Sequence, residues 1–261
     1  MEKTTTQEMK FAQLLQEAIT LPGILAKYYS AFHRYSLGNQ AAAIFQCMFQ
    51  GIEVGPIASF MAWKEKGRSV KKGAKAIELC MPVTRKFEKE NKETGEMEEG
   101  MYQRFIWKRN WFVLSQTEGA EYTEDAKTPT WDAAKAMMEL GISRVPFTHV
   151  DGNCQGYAHK REIAINPLAA FPIKTTIHEL AHVVLGHTLE NQMADTERTP
   201  RCIREVEAES VAYILTDLID LPGKAESRGY IQNWLQDQDI PEKSAQKIFT
   251  AADKIFKAGN C

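Results

Sequence analysis

The sequence is short of cysteine pairs, long apolar runs and any excess of one charge sign. Its five cysteines (Cys47, Cys80, Cys154, Cys202, Cys261) are odd in number, scattered and without a C-x-x-C pair. That argues against a disulfide framework and against a cysteine-rich zinc ribbon, so they read as reduced and mostly buried thiols. No apolar run reaches the roughly 20 residues that a bilayer-crossing helix needs, so no membrane partner is expected. The first eight residues, Met1-Glu2-Lys3-Thr4-Thr5-Thr6-Gln7-Glu8, hold no apolar leader core, which gives the expectation of a cytoplasmic protein. With 32 Lys and Arg against 34 Asp and Glu, the formal net charge is −2. A uniformly basic nucleic-acid binder is thereby excluded, and any such surface must be a local patch. There is no internal repeat and no low-complexity tract.

What is present is enough apolar residue, 44% of 261, to bury a substantial core as one large or two modest domains. Two are expected, in an α+β arrangement. Apolar residues recur at helical spacing in the first 50 residues, as Phe11, Leu14, Leu15 and Ala18, then Ile24, Leu25, Tyr28 and Phe32. A third helix is predicted from about Asn39. Pro56 followed by Ile57, Phe60, Met61 and Trp63 predicts a short helix that Gly67 ends. The period then changes, and strands are predicted over 75–83 and 104–114. Between them, 85–100 mixes Lys and Glu with almost no apolar residue and reads as an exposed hairpin tip. The polar, acidic segment 116–129 has the composition of a linker. The boundary falls near 125, giving domains 1–125 and 126–261. The second is predicted to be mostly helical: helices at 131–140, across the motif below, at 201–218, 230–235 and 243–256, with one strand at 162–166.

The most specific chemistry lies at His178-Glu179-Leu180-Ala181-His182. On a helix, residues four apart share a face, so His178 and His182 can offer imidazole nitrogens to one Zn²⁺. Glu179 is one residue on and cannot be a ligand on that face, but it can reach a water on the metal's open side as a general base. Such a pattern arises by chance in about one chain in a hundred of this length. The apolar setting of Ile177, Leu180, Ala181, Val183, Val184 and Leu185 adds to the spacing, because a core helix has little use for these polar residues unless something binds them. A catalytic site needs a third protein ligand. Glu205, Glu207 and Glu209 compete for that place. Glu205 is preferred, since Glu205, Ala208, Glu209 and Ala212 form one stripe with small residues for close approach, and Glu209 would then accept the other N–H of a ligand histidine. Glu207 sits on a face that could also be core. His187 follows His182 by five residues, not the six of the longer metzincin pattern, and is placed on the loop after the helix.

A second feature is basic. Trp63, Lys64, Lys66, Arg68, Lys71, Lys72 and Lys75 cluster around Gly67 and Gly73, and the next predicted strand adds Arg104, Trp107, Lys108, Arg109, Trp111 and Phe112. Cations that track phosphates and rings that stack on bases suit single-stranded nucleic acid. A solvated turn beside core aromatics is the plain alternative, and composition alone does not choose between them.

Both halves resemble the ArdC antirestriction family of conjugative plasmids and related mobile elements. The N-terminal likeness rests on Tyr35-Ser36-Leu37-Gly38-Asn39, Phe60-Met61-Ala62-Trp63, the run from Gly67 to Ile77, and Trp111-Phe112-Val113-Leu114-Ser115-Gln116. The C-terminal likeness rests on Gly156-Tyr157, Ile163-Ala164-Ile165, Thr176 to His182, Glu205 to Ala212, and Tyr230-Ile231-Gln232-Asn233-Trp234. Ala74 departs from a glutamate common in the family. The resemblance implies an N-terminal helical and β-hairpin domain that binds single-stranded DNA, with Asn39 added to the residues facing it, and a zincin-like metallopeptidase domain behind it. It selects Glu205 as third ligand through the E-x-x-A-[N/D/E] pattern. It implies protection of incoming plasmid DNA from restriction, with an unidentified protein as peptidase substrate. The rival readings are a DNA-binding shield with a structural zinc and a regulatory peptidase that cleaves a repressor.

Overall fold

The computed structural model describes residues 10–90, 97–124, 126–149, 153–189 and 200–261. The chain is α+β, and it divides into two compact units, Met1–Ala41 with Asp125–Cys261, and Ala42–Glu124. In the first unit the N-terminal helices α1 (Phe11–Thr20) and α2 (Ile24–Phe32) precede α3 (Leu37–Gln50), whose first residues belong here.

In the second unit, β1 (Ile57–Ser59), α4 (Phe60–Glu65), β2 (Arg68–Val70), β3 (Ile77–Glu90), β4 (Met97–Val113) and β5 (Thr117–Gly119) follow the end of α3. One antiparallel sheet has the order β1-β4-β3, and β2 pairs with β5 as a separate ribbon. Helix and sheet are joined by Gln46, which is buried: its Oε1 accepts from Glu78 N at 2.8 Å and its Nε2 donates to Glu78 O at 2.7 Å. A buried amide that satisfies a strand's N–H and C=O also closes part of the sheet edge. The predicted helix at 56–63 begins only at Phe60, because Ile57–Ser59 first pairs with β4, and Ser59 then caps α4 by accepting from Ala62 N at 3.2 Å. Gly67 ends that segment at φ +72°, as predicted. The ladder of β3 and β4 runs far beyond the predicted strands, to Glu90 and Met97, and the centre of the expected hairpin tip, 91–96, lies outside the described residues. The expected linker is partly strand, since 117–119 pairs with β2.

The rest of the first unit holds α5 (Ala133–Leu140), β6 (Ser143–Arg144), β7 (Gly156–His159), β8 (Glu162–Ile165), α6 (Pro172–Val184), α7 (Arg201–Leu218), α8 (Lys224–Asp237) and α9 (Glu242–Gly259). Its small sheet has the order β6-β8-β7, with β7 antiparallel and β6 parallel to β8. Every residue from 206 to 218 of α7 is buried, so this is the helix on which the others pack. Such a helix must pair each polar group it carries. Asp217 does so through Oδ2, which accepts from Gly23 N, 2.7 Å away at the start of α2.

Residues 10–41 thus lie in the same compact unit as 125–261. The physical reason is the apolar stripe itself. Leu14, Leu15, Ala18 and Ile19 are buried, Phe11 meets Phe249 at 5.9 Å between ring centroids, and Tyr29 stands edge-on to Phe256 at 5.7 Å. Glu242 completes the attachment by accepting from the backbone N–H groups of Phe11 and Ala12 at 2.8 and 2.9 Å. Among the described residues no helix is long and apolar enough to cross a membrane.

Candidate metal centre

The local sequence sets α6 firmly. Pro172 occupies its first turn, and Thr175 and Thr176 donate their hydroxyls to Phe171 O and Pro172 O at 3.1 and 2.8 Å. Gly186, at φ +79°, turns the chain after Leu185, as predicted. On the helix face between these ends, His178 Nε2 and His182 Nε2 are 3.1 Å apart. Glu205, in the second turn of α7, brings Oε2 to 3.6 and 3.5 Å from them. An ion bound tetrahedrally at about 2.0–2.1 Å separates its ligand atoms by about 3.4 Å, so the three groups fit one first-row divalent cation. Among the described residues this is the only cluster of three such ligands.

The electrostatics agree with that donor set. The neighbouring His178 and His182 hold the Glu205 carboxyl far below the ordinary carboxylate range. His178 Nδ1 faces Glu209 Oε2 at 2.8 Å, and Glu209 Oε1 faces Lys174 Nζ at 2.7 Å. Burial pushes Glu209 up, but His178 and Lys174 outweigh it and bring its pKa to about 2. Burial disfavours the charged form of His178, yet Glu205 and Glu209 raise it to about 9. Glu179 is raised, first by burial, with His178 and His182 opposing.

Glu179 lies beside β7. A Cβ on Gly156 would stand 3.1 Å from Glu179 Oε1, so glycine leaves the room that the carboxylate occupies. Gly156, Tyr157 and Ala158 of β7, with Glu179, the three ligand candidates and Arg204, line an open cleft of about 450 Å³. β7 is the outer strand of its sheet. The structure therefore brings together His178, Glu179, His182, Glu205 and Glu209. It sends Glu207 elsewhere: its Oε2 meets His187 Nε2 at 2.9 Å, and His187 Nδ1 lies 3.0 Å from His182 Nδ1. His187 is in the turn after α6, with its ring directed back at a ligand. Sequence reasoning missed Lys174, this role of Gly156 and the His187–Glu207 pair. The only signal for them was a set of carboxylates on a helix too apolar to be surface.

The predicted DNA-facing residues divide sharply. Lys64, Lys72, Lys75, Arg104 and Lys108 are exposed. Trp63 is 0% exposed, with Nε1 donating to Phe112 O at 2.7 Å, and Trp111 is 8% exposed, so neither ring is available for stacking. Asn39 is buried as well, because its stretch of α3 is core. Arg68 donates to Thr117 Oγ1 at 2.8 Å and to the carbonyls of Thr117 and Ala120, and so fastens β2 to β5. Lys71 donates to Ser115 O at 2.9 Å, and Arg109 pairs with Glu78. Exposed rings near this patch include Phe60 at 49%, Tyr102 at 47% and Phe105 at 53%.

Residues 10–126 match the family described as the N-terminal domain of anti-restriction factor ArdC. The metal-free crystal structure of the antirestriction protein ArdC from plasmid R388 is similar over 95% of this chain and 94% of its own, at 20% identity and a TM-score of 0.50. Its Mn(II)-bound structure is similar over 95% and 97%, at 17% identity and 0.51. An uncharacterized protein of Bacillus anthracis is 23% identical over 93% of this chain, which spans 47% of that relative's length.

Proposed function

Since the chain is ArdC-like, in its N-terminal domain and in its fold, we propose that it is a single-stranded-DNA-binding protein of the antirestriction type, from a mobile element, with a zinc metallopeptidase site. The observation that carries the peptidase half is the spacing of His178, His182 and Glu205, 3.1 to 3.6 Å between ligand atoms, with Glu179 buried at the same cleft. Two imidazoles and one carboxylate suit zinc. The ion would supply Lewis acidity toward water and a scissile carbonyl. Glu179 is the base: burial raises its pKa above the ordinary carboxylate value, and it would take a proton from water and return it to the leaving amine. β7 is the outer strand of its sheet and lies along the cleft, where an extended peptide would add as a further strand. For the DNA half, exposed Lys64, Lys72, Lys75, Arg104 and Lys108 supply phosphate contacts, and Phe60, Tyr102 and Phe105 replace the buried tryptophans as stacking candidates.

The test has two arms. Fluorescence anisotropy with single- and double-stranded oligonucleotides should show salt-sensitive preference for single strands, and binding to neither overturns the DNA half. Zinc content and cleavage of a generic protein are then compared for wild type and Glu179→Gln, with and without single-stranded DNA. The variant should keep zinc and lose cleavage. No cleavage by wild type with zinc or manganese, at intact metal binding, would leave the shield reading in place, and cleavage indifferent to DNA would favour a regulatory peptidase.

A further inference from the structure

A ligand histidine binds an ion through one nitrogen, and its other nitrogen decides whether that lone pair is available. The two candidate ligands are treated differently. Nδ1 of His178 faces a carboxylate, Glu209, itself held by Lys174. Nδ1 of His182 faces no carboxylate but another imidazole, that of His187, at 3.0 Å, and His187 Nε2 in turn faces Glu207 Oε2 at 2.9 Å. Resting on the metal-centre reading, we propose that His187 and Glu207 are positioning residues, a buried relay that fixes the tautomer and orientation of His182 for metal binding.

Hydrogen-bond logic gives the direction of each link. An ionised carboxylate only accepts, so His187 Nε2 carries the proton that meets Glu207. A neutral imidazole has one N–H, so His187 Nδ1 is left as an acceptor. Two nitrogen lone pairs at 3.0 Å repel, and His182 Nδ1 must therefore donate to His187. The one lone pair of His182 is then on Nε2, the atom 3.5 Å from Glu205 Oε2. The relay is also held mechanically. His187 N donates to His182 O at 2.9 Å, Arg204 Nη1 donates to His187 O at 3.3 Å, and Thr188 Oγ1 donates to Lys160 O at 2.7 Å. The His187 side chain is 7% exposed and that of Glu207 1%, which leaves little room for water to stand in for either. A pair kept only for packing has no need to aim its remaining nitrogen at a ligand, and an apolar pair would be as stable.

The test is the zinc dissociation constant of the full chain, measured by competition with a chromogenic chelator. His187→Phe, which keeps a ring without nitrogen, should weaken zinc binding about 10–100-fold, the range for lost outer-shell partners. Glu207→Leu should weaken it in the same sense, and adding it to His187→Phe should change little more. His187→Asn, which can keep an acceptor near the Nδ1 position, should recover most of the affinity. A His187→Phe protein within about twofold of wild type, or an Asn variant as weak as the Phe one, overturns the relay. If the substituted proteins do not fold, imidazole ¹⁵N shifts of the wild type decide: a protonated Nε2 and bare Nδ1 on His187 support it, and the reverse overturns it. His178→Ala is the separate control. Unchanged zinc affinity there removes the metal centre, and the relay with it.

Discussion

A methyl group added at position 156 tests how tightly Glu179 is held. In Gly156→Ala the new Cβ would stand 2.8 Å from Thr175 Cγ2, 3.0 Å from Ala164 O and 3.1 Å from Glu179 Oε1. Comfortable carbon contacts are about 3.5–4.0 Å, so all three are short. Ala164 O is backbone of the paired strand β8. Thr175 is tied through its hydroxyl to Phe171 O, so its methyl cannot swing aside without losing that bond. Relief must come from a shift of β7 or of the Glu179 carboxylate. Overpacking of this kind costs about 1–3 kcal/mol, which for a chain of this size is a fall of several degrees in Tm. Displacing the proposed base by up to about 1 Å should cost about 10–100-fold in kcat. The three atoms nearest the new methyl belong to Thr175, Ala164 and Glu179 and not to His178, His182 or Glu205, so zinc affinity should be unchanged. Calorimetry, chelator competition and peptide cleavage on the same preparation measure the three quantities. A Gly156→Ala protein with wild-type Tm and turnover would refute the reasoning, and one that loses zinc would show that the strand shift reaches the ligands.

Four further outcomes are expected. Glu242→Ala should lower stability by about 1–2 kcal/mol in chemical denaturation and speed hydrogen exchange in α1, because it uncaps the amides of Phe11 and Ala12. Zinc uptake should be proton-coupled: with His178 raised from 6.5 to about 9, its proton competes with the ion below that pH. Affinity should therefore rise up to about tenfold per pH unit as pH climbs toward about 9 and level off above, while the stability that the His178 proton gives the ion-free protein is complete below 6.5 and lost as pH passes about 9. Replacing exposed Lys72 and Lys75 by Gln should weaken single-strand binding and flatten its salt dependence by about one or two charges. Arg68→Ala should instead lower Tm, since its guanidinium fastens β2 to β5.

The candidate metal site was legible where its chemistry is local. The spacing of His178, Glu179 and His182 is a helical repeat within one element, and the stripe of Glu205 and Glu209 is another, so periodicity alone could place each on a face. The basic patch was legible as composition but not as surface, because a tryptophan beside lysines reads the same whether it stacks on a base or, like Trp63, donates to a carbonyl in the core. Exposure is a property of what packs on a residue, and Phe60 and Phe105 carried no mark that distinguished them from Trp111.

The same division holds for the whole chain. By itself the sequence determined the two-histidine helix with its glutamate, the apolar stripes of α1 and α2, the turns at Gly67 and Gly186, and the range of partners that its charge allows. Only the tertiary structure decided that those first helices pack with α7 and α9, that of three glutamates on one helix Glu205 and Glu209 reach opposite nitrogens of His178 while Glu207 reaches His187, and that His187 turns back on His182. Helix periodicity says which residues share a face. Burial of a charged group says that it must find a partner, but which partner is set by elements distant in the chain, and those meet only when the core closes.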